Sequence, residues 1–261
     1  MFKRLLADSV SLVFRNMEMV FKVCGTWFAI QLLLSLVIFG SVGDTGTASA
    51  GNAEEPSAVT VLLVMVNFVV AILAATSIAV AWHRFALLGE QAPAIFAQVG
   101  ALEMRFLWTM ILLILIGAAA LVPVLLLLMV LGVFLPDTLS MLLIVPVVLF
   151  LVLPHLMRLN LVLPAAAVER PIDFREAHRL GAGLGWRMLW AVILLSLPFS
   201  LAGLAIEYVL SLAVAGLPLM VVQIQVMILH VLLQILVTVL GLSVITAGYR
   251  IAIERPGETP S

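Results

Sequence analysis

Between Phe106 and Leu135 the chain reads FLWTMILLILIGAAALVPVLLLLMVLGVFL, a run from which charged side chains are absent. The hydrocarbon core of a bilayer is about 30 Å thick, and an α-helix rises about 1.5 Å per residue. About twenty apolar residues therefore suffice to cross a bilayer, and this run is longer than that. The stretch predicts a transmembrane helix that tilts or projects past the membrane face.

The rest of the chain repeats this pattern and predicts an all-α fold. Hydrophobic residues make up 64% of the 261 residues and charged residues only 10%, whereas soluble domains carry about 25% charged residues. Apolar runs occur at Thr26–Val42, Ala58–Trp82, Phe106–Leu135, Leu139–Met157, Met188–Leu212 and Leu217–Tyr249. Because the runs are continuous rather than alternating, they predict a bundle of six transmembrane helices and exclude a β-barrel. Prolines inside these runs predict kinks, and they are Pro123, Pro146, Pro154 and Pro198.

The 13 lysine and arginine residues are distributed on one side of these runs. They lie in the N-terminal segment, the loop between runs two and three, the loop between runs four and five, and the C-terminal tail. Basic residues accumulate on the cytoplasmic side of membrane proteins, so both termini are predicted to be cytoplasmic. A signal peptide cleaved after Ala50 is the alternative for the first run, although Ala50 lies well past its end.

One integral membrane domain, residues 1–261, is predicted. Residues 1–22 are expected to form a cytoplasmic amphipathic helix, residues 23–250 the six-span bundle, and residues 251–261 a cytoplasmic tail. The amphipathic helix is predicted from a polar stripe with spacings of three and four residues, made of Arg4, Asp8, Ser11, Arg15, Glu18 and Lys22. The apolar residues on the opposite side are Leu6, Val10, Val13, Met17 and Val20. Such a helix is typical of a membrane surface.

An interfacial helix followed by two spans is predicted to occur three times, as three parallel repeats. Pro93–Phe96 opens the corresponding short segment of the second unit, and Pro171–Phe174 opens that of the third. In the third unit Asp173 and Glu176 have the spacing of a capping box, which predicts that Asp173 begins a helix. Each unit starts and finishes on the same side of the membrane, so the repeats are not inverted.

Three arginines follow the even-numbered spans and are candidates for binding an anionic lipid headgroup. They are Arg84, Arg158 and Arg250. Basic pockets at cytoplasmic helix ends bind such headgroups. The alternative is that these arginines determine the topology and pair with nearby carboxylates, which are Glu90, Glu169 and Glu254.

Two uncharged polar residues lie inside spans and are candidates for lining a cavity within the bundle: Asn67 and Gln234. Polar residues within a membrane are functional candidates by default. The alternative is that they form interhelical hydrogen bonds. No Asp, Glu, Lys or Arg lies at the centre of a span, which argues against a proton-coupled pump but not against a passive carrier.

Motifs for catalysis are absent from the sequence, which contains no P-loop, G-x-S-x-G, H-E-x-x-H or dinucleotide fingerprint. The histidines are His83, His155, His178 and His230. Their spacing is not that of metal or haem ligands, and interfacial hydrogen bonding is expected for them. The chain is therefore predicted to be non-enzymatic and to hold neither a metal nor another cofactor.

A family resemblance is carried by two stretches, WHRFALLGE at Trp82–Glu90 and RLNLVLPAAAVE at Arg158–Glu169. With the six-span layout they resemble uncharacterised bacterial inner-membrane proteins. These are similar to the membrane domain attached to some glycerophosphoryl diester phosphodiesterases. The resemblance implies a bacterial cytoplasmic membrane and an accessory role near lipid metabolism. The chain has no phosphodiesterase domain, so that activity is not implied.

These features together predict a non-enzymatic membrane protein that scaffolds partners or handles lipid at the cytoplasmic membrane. The expected partners are membrane lipids and a membrane protein, and a nucleic-acid partner is not expected. The alternative is a transporter or permease component for a small solute or lipid, which the parallel repeats and the polar residues of the sixth run favour.

Overall fold

The computed structural model describes residues 1–43, 57–93, 96–134, 139, 142, 146–213 and 219–254. Among these residues, six helical segments are long and apolar enough to cross a membrane. They are Met17–Ser41, Ala58–Leu88, Ala101–Val130, Val148–Ala167, Gly185–Val209 and Ile224–Ile253. The all-α bundle and the number of candidate spans, both predicted from the sequence, are confirmed. The fourth candidate, Val148–Ala167, lies later in the chain than the predicted run Leu139–Met157.

The last long helix of the chain is the centre of the bundle. In chain order the helices are α1 (Phe2–Phe14), α2 (Met17–Gly43), α3 (Ala58–Leu88), α4 (Ala101–Gly132), α5 (Leu153–Leu159), α6 (Val162–Ala167), α7 (Phe174–Leu180), α8 (Gly185–Ala213) and α9 (Leu219–Ile253). Helix α9 packs against α1, α2, α3, α6 and α8. Helix α5 packs against α7 and α8, and α4 packs against α3 and α6. The short helices α5, α6 and α7 therefore fill one end of the bundle.

The fourth span contains a wide helical turn rather than a simple kink. Residues Val148–Val152 form a π-helical turn, in which the N–H of Leu153 donates to the carbonyl of Val148. Pro154 follows directly, and it has no N–H to donate to the carbonyl of Phe150, one α-helical turn earlier. Its ring would also collide with that carbonyl in a regular α-helix. The wider turn avoids this collision, and α5 begins after it.

The predicted amphipathic helix over residues 1–22 is divided in two by a turn at Arg15–Asn16. The side-chain amide of Asn16 donates to a main-chain carbonyl of α1 at 2.8 Å, and such local bonds compete with helix continuation. Glu18 and Lys22 consequently belong to the first spanning helix, where they form an ion pair of 2.6 Å. The predicted helix boundary at residue 22 is therefore wrong, and it lies at the turn instead.

Helix α1 is amphipathic, as predicted, but its buried side is rotated from the predicted one. The buried residues are Leu5, Ser9 and Val13. Leu6 and Val10, which belong to the predicted apolar side, are only half-buried. On the exposed side Arg4 pairs with Glu254 at 2.6 Å, and the hydrogen bond and charge of Glu254 raise the pKa of Arg4. The two ends of the described chain thus meet at one end of the bundle.

The lead-in segments of the second and third predicted units differ. Helix α7 of the third unit is capped as predicted, because Asp173 accepts a hydrogen bond from the N–H of Glu176. In the second unit residues 96–100 are not helical, and residues 94–95 lie outside the described part of the chain. There the carboxylate of Glu103 accepts from the N–H of Gly100 at 2.8 Å and caps α4. The predicted second lead-in helix is therefore wrong over residues 96–100, and the threefold repeat stays a prediction.

Candidate functional site

Charged residues gather at the end of the bundle where the two chain ends meet. This end, which we call the basic face, comprises α1, the C-terminal ends of α3 and α9, and residues 153–187. Its elements are tied together by contacts between distant parts of the sequence, such as Arg4 with Glu254 and Arg84 with Glu169. Many of the buried apolar side chains, including Trp82, Leu161 and Met188, lie in the half of the bundle nearer this face.

The guanidinium group of Arg84, near the end of α3, forms its hydrogen bonds with other groups of the protein. Its Nε and Nη2 atoms each donate to one carboxylate oxygen of Glu90 at 2.7 Å. Its Nη1 donates to the carbonyl of Ala167 at 3.1 Å and to Glu169 at 3.4 Å. A bidentate pair of this kind is strong and geometrically specific. Arg84 therefore joins the end of α3 to the end of α6, as the ion-pairing alternative predicted.

Glu169 has a backbone conformation that is rare for a residue with a side chain, with φ of 58°. The N–H of Arg170 donates to the carbonyl of Ala165 at 3.0 Å, and the N–H of Glu169 donates to that of Ala166 at 3.2 Å. These bonds end α6 in a Schellman motif, whose left-handed position is usually glycine. A side chain at this position allows the contact with Arg84.

Replacing Glu169 with glycine is expected to raise the thermal stability of the protein. The substitution relieves a left-handed conformation that costs about 1–3 kcal/mol and removes an exposed ion pair worth about 0–1 kcal/mol. Thermal unfolding in detergent, followed by circular dichroism, measures the change. Glu169→Gln is the control, since it removes the charge but keeps the strain, and it should not raise the midpoint. A lower midpoint for Glu169→Gly would show that the contact with Arg84 outweighs the strain.

Arg250, near the end of α9, also forms a hydrogen bond with another group of the protein. Its Nη2 atom donates to the carbonyl of Ala86 at 2.6 Å. Ala86 lies in the last turn of α3, where carbonyls have no partner within the helix. Gly89, with φ of 75°, then ends α3. Arg250 therefore caps α3 from the neighbouring helix.

Arg158 on α5 lies in a different environment from the other two arginines. It lines an open cleft of about 800 Å³, which we call the basic cleft. The lining side chains that carry its chemistry are Arg158, Asp173, Arg175, Glu176, His178 and Arg179. Within the described part of the chain, the Nε atom of Arg158 is buried and has no hydrogen-bond partner. A buried donor without an acceptor is costly, so Arg158 keeps unused hydrogen-bonding capacity beside the cleft.

The basic cleft has an excess of positive charge. Three guanidinium groups face two carboxylates across it, which leaves one net positive charge when His178 is neutral. The carboxylate of Asp173 is already used as the cap of α7. Guanidinium groups present several donors in a fixed plane and suit phosphate oxygens. The cleft is therefore chemically fitted to an anion.

His178 at the cleft forms a pair with His155 of α5. The Nδ1 atom of His155 lies 3.0 Å from Nε2 of His178, and the ring planes differ by 6°. One ring must donate the hydrogen and the other accept it, since an acceptor nitrogen carries no hydrogen. Burial, together with the positive charges of Arg158 and His155, lowers the pKa of His178. The lowered pKa favours the neutral form of His178 near neutral pH.

Two glycines place the stem of Arg158 in the cleft wall. A Cβ atom added to Gly185 would lie 2.1 Å from the carbonyl oxygen of Pro154. One added to Gly181 would lie 2.7 Å from the Cβ of Arg158. Small residues four positions apart are typical of close contacts between membrane helices. The turn before α8 can therefore approach the backbone of α5, and this contact positions Arg158.

A separate polar interface joins α3 to α9. Trp82 donates from Nε1 to the hydroxyl of Ser243 at 2.9 Å, and Nδ1 of His83 lies 2.7 Å from the hydroxyl of Thr246. Because the Thr246 hydroxyl donates to the carbonyl of Leu242 at 2.7 Å, it must accept from His83. The hydrogen of His83 is thus on Nδ1, and its buried Nε2 has no partner among the described residues. These contacts hold the helices together.

The predicted cavity residues are Asn67 and Gln234. Gln234 is exposed and lines a groove of about 340 Å³ between α8 and α9. In the same groove Nδ1 of His230 lies 3.6 Å from a carboxylate oxygen of Glu207. Asn67 does not line this groove, and its buried Oδ1 lacks a partner within the described ranges. A cavity shared by Asn67 and Gln234 therefore stays a prediction.

Sequence reasoning identified Arg158 but missed its neighbours in the basic cleft. Arg175, His178 and Arg179 have spacings of three and four residues, which place them on one side of a helix. That spacing could have predicted that these three side chains lie together. The meeting of His155 and His178, 23 residues apart, had no such signal because tertiary packing produces it.

A metal centre is not formed by the part of the chain that the structure describes, where no group of three or more His, Cys, Asp or Glu side chains is placed to hold an ion. A comparison with family models, a search of curated proteins and a search of solved structures each give no match, so the resemblance to phosphodiesterase membrane domains stays an expectation.

Proposed function

We propose that this chain is a non-enzymatic integral membrane protein that handles lipid by binding an anionic headgroup in the basic cleft. The observation that carries the proposal is Arg158, whose buried Nε has no partner within the described chain. Arg175 and Arg179 line the same cleft and add donors for phosphate oxygens. Arg84 and Arg250 have protein partners instead, so Arg158 is the better headgroup candidate of the three.

The position of the basic cleft supports a lipid as the ligand. Arg158 is in the last turn of α5, directly after the apolar run that ends at Met157, and basic residues at helix ends bind lipid headgroups in a bilayer. On the π-helical turn and on α8, which both pack against α5, large apolar side chains such as Leu151, Trp190 and Leu194 are exposed, as expected for helices in contact with lipid tails. A headgroup in the cleft therefore leaves its tails beside apolar helix surfaces.

The proposed location is the bacterial cytoplasmic membrane with the basic face towards the cytoplasm. The one-sided distribution of lysine and arginine supports this orientation, and the family resemblance supports the bacterial membrane. In this setting the protein acts as an accessory or scaffold that presents a bound lipid to a membrane-protein partner. The alternative is a transporter or permease component for a small solute or lipid, for which Gln234 in the groove between α8 and α9 is the candidate polar residue.

Arg158→Gln is expected to weaken binding of anionic lipid about tenfold or more, because charge-assisted hydrogen bonds are worth about 1.5–3 kcal/mol each. Native mass spectrometry of the gently extracted full chain, titrated with anionic and with zwitterionic lipid, measures the affinity. Arg15→Gln is the matched control, since it removes the same charge from an exposed turn outside the cleft.

Three outcomes of this titration are informative. Selective loss in Arg158→Gln supports the proposal. Equal losses in Arg158→Gln and Arg15→Gln would show that attraction to anionic lipid is unspecific and would reject the cleft. A wild-type protein that retains no anionic lipid, but carries a solute across liposome membranes, would favour the transporter.

A further inference from the structure

The histidine pair beside the basic cleft identifies a chemical class of headgroup, an inference that rests on the proposed function. We propose that the cleft binds a phosphomonoester in its dianionic form, and that the His155–His178 pair takes up one proton from solvent when it does so. A phosphodiester, which carries a single negative charge, would be bound more weakly.

The charges of the basic cleft match a dianion. The three guanidinium groups and two carboxylates leave one positive charge, and a proton on the pair raises this to two. A phosphomonoester carries a charge of about −1.5 to −2 at pH 7, because its second pKa is about 6. The basic cleft with its histidine pair protonated, at two positive charges, therefore neutralises a phosphomonoester dianion.

The geometry of the pair allows one additional proton and no more. With both rings neutral, a single hydrogen lies between Nδ1 of His155 and Nε2 of His178. One added proton, bound at an outer ring nitrogen, leaves that hydrogen bond in place and makes it charge-assisted. A second added proton would put hydrogens on both inner nitrogens and break the contact. Binding of the dianion therefore consumes one proton, and no covalent bond changes.

The surroundings of His178 set the direction of the pH dependence. The groups that face it are Arg158 and His155 on α5, with Asp173, Arg175, Glu176 and Arg179 on or next to α7. Without ligand, burial and the charges of Arg158 and His155 lower the pKa of His178. A bound dianion acts in the opposite direction and raises it. Affinity should thus increase as the pH falls from the pKa of the bound state towards that of the free state.

The ligand itself limits the pH range of this effect. Below about pH 6 the phosphomonoester becomes a monoanion, which removes the charge that the protonated pair matches. The increase in affinity should therefore be visible above about pH 6, with a slope of up to about tenfold per pH unit for one coupled proton.

The test compares phosphatidic acid, a phosphomonoester lipid, with phosphatidylglycerol, a phosphodiester lipid, on the full chain in nanodiscs. Affinity is measured between about pH 6.5 and pH 8, above the second phosphate pKa of about 6, where the dianion is the main form of the ligand. We expect tighter binding of phosphatidic acid, with an affinity that falls as the pH rises. Soluble glycerol 3-phosphate is measured alongside, to separate a lipid headgroup from a free phosphomonoester.

Two variants isolate the histidine pair. His178→Gln and His155→Gln each keep a side chain that forms hydrogen bonds but does not titrate, and each should abolish the increase in affinity at lower pH. His230→Gln, in the groove between α8 and α9 and outside the basic cleft, is the control and should keep it. Two variants are used so that the test still gives a result when one of them fails to fold.

The outcomes separate this inference from the proposed function. Equal binding of the two lipids without a pH slope overturns the inference but leaves headgroup binding intact. A pH slope that survives in both pair variants overturns the role of the histidines. Tight binding of glycerol 3-phosphate without lipid binding supports the phosphomonoester class and rejects a lipid as its source. Absence of binding by all three ligands rejects both proposals.

Discussion

Replacing Gly185 with alanine is expected to destabilise the protein by about 3 kcal/mol or more, the upper part of the range for overpacked cores. The added Cβ would lie 2.1 Å from the carbonyl oxygen of Pro154 and 3.0 Å from the Cγ of Arg158. A main-chain oxygen cannot rotate away as a side chain can, so α5 and α8 must separate. The midpoint of unfolding in mixed detergent micelles measures the loss.

Two other glycines provide graded controls for Gly185→Ala. A Cβ at Gly248 would lie 2.8 Å from the sulfur of Met188, a flexible side chain that can move, so Gly248→Ala should cost less. Gly241, also in α9, has nothing within 4 Å of the added atom, and alanine there should be neutral or stabilising. An unchanged midpoint for Gly185→Ala would contradict the backbone contact between α5 and the start of α8.

Trp82→Ala is expected to destabilise the protein by about 3–5 kcal/mol, as do large-to-small changes in packed cores. Trp82 has 0% of its surface exposed, and its ring packs on Phe85 with centroids 5.6 Å apart. Removing it leaves a cavity between α3 and α9 and deprives Ser243 of a hydrogen-bond donor. Chemical unfolding monitored by the remaining tryptophans measures the change.

Trp108 is the matched control for Trp82, because 61% of its surface is exposed and it lies near the start of α4. Trp108→Ala should change the stability by well under half as much, since most of the Trp108 side chain is already exposed. Trp82→Phe separates the hydrogen bond from the packing and should cost about 1 kcal/mol for the lost bond. Equal losses in Trp82→Ala and Trp108→Ala would contradict a core centred on Trp82.

The spans were predictable because hydrophobic length is a local property of the chain. The predicted run at Ala58–Trp82 begins where α3 begins, and α3 continues to Leu88 beyond it. The extra turns contain charged and polar residues that no hydropathy pattern assigns to a helix. They remain helical because Arg84 and Arg250 bond to groups of other helices. Helix ends here depend on tertiary contacts, which a hydrophobic pattern does not contain.

The candidate site was predictable only in part, and for a similar reason. Arg84, Arg158 and Arg250 were all selected by their position at the end of a span. Their side-chain partners, which the sequence does not show, distinguish an arginine that bonds to protein groups from one that faces a cleft. The turn that separates α1 from α2 depends on one amide, that of Asn16, within a polar stripe that continues regularly across it. Periodicity alone cannot detect such a local hydrogen bond.

The packing of α1 on α9 has a consequence for biosynthesis. Helix α1 is translated before α9, and at about 5–20 residues per second the interval between them is on the order of ten to fifty seconds. During that time its inner side, Leu5 and Val13, has no α9 to cover it. An amphipathic helix can lie on the membrane surface during this interval. Docking of α1, completed by the contact of Arg4 with Glu254, therefore follows the synthesis of the last span.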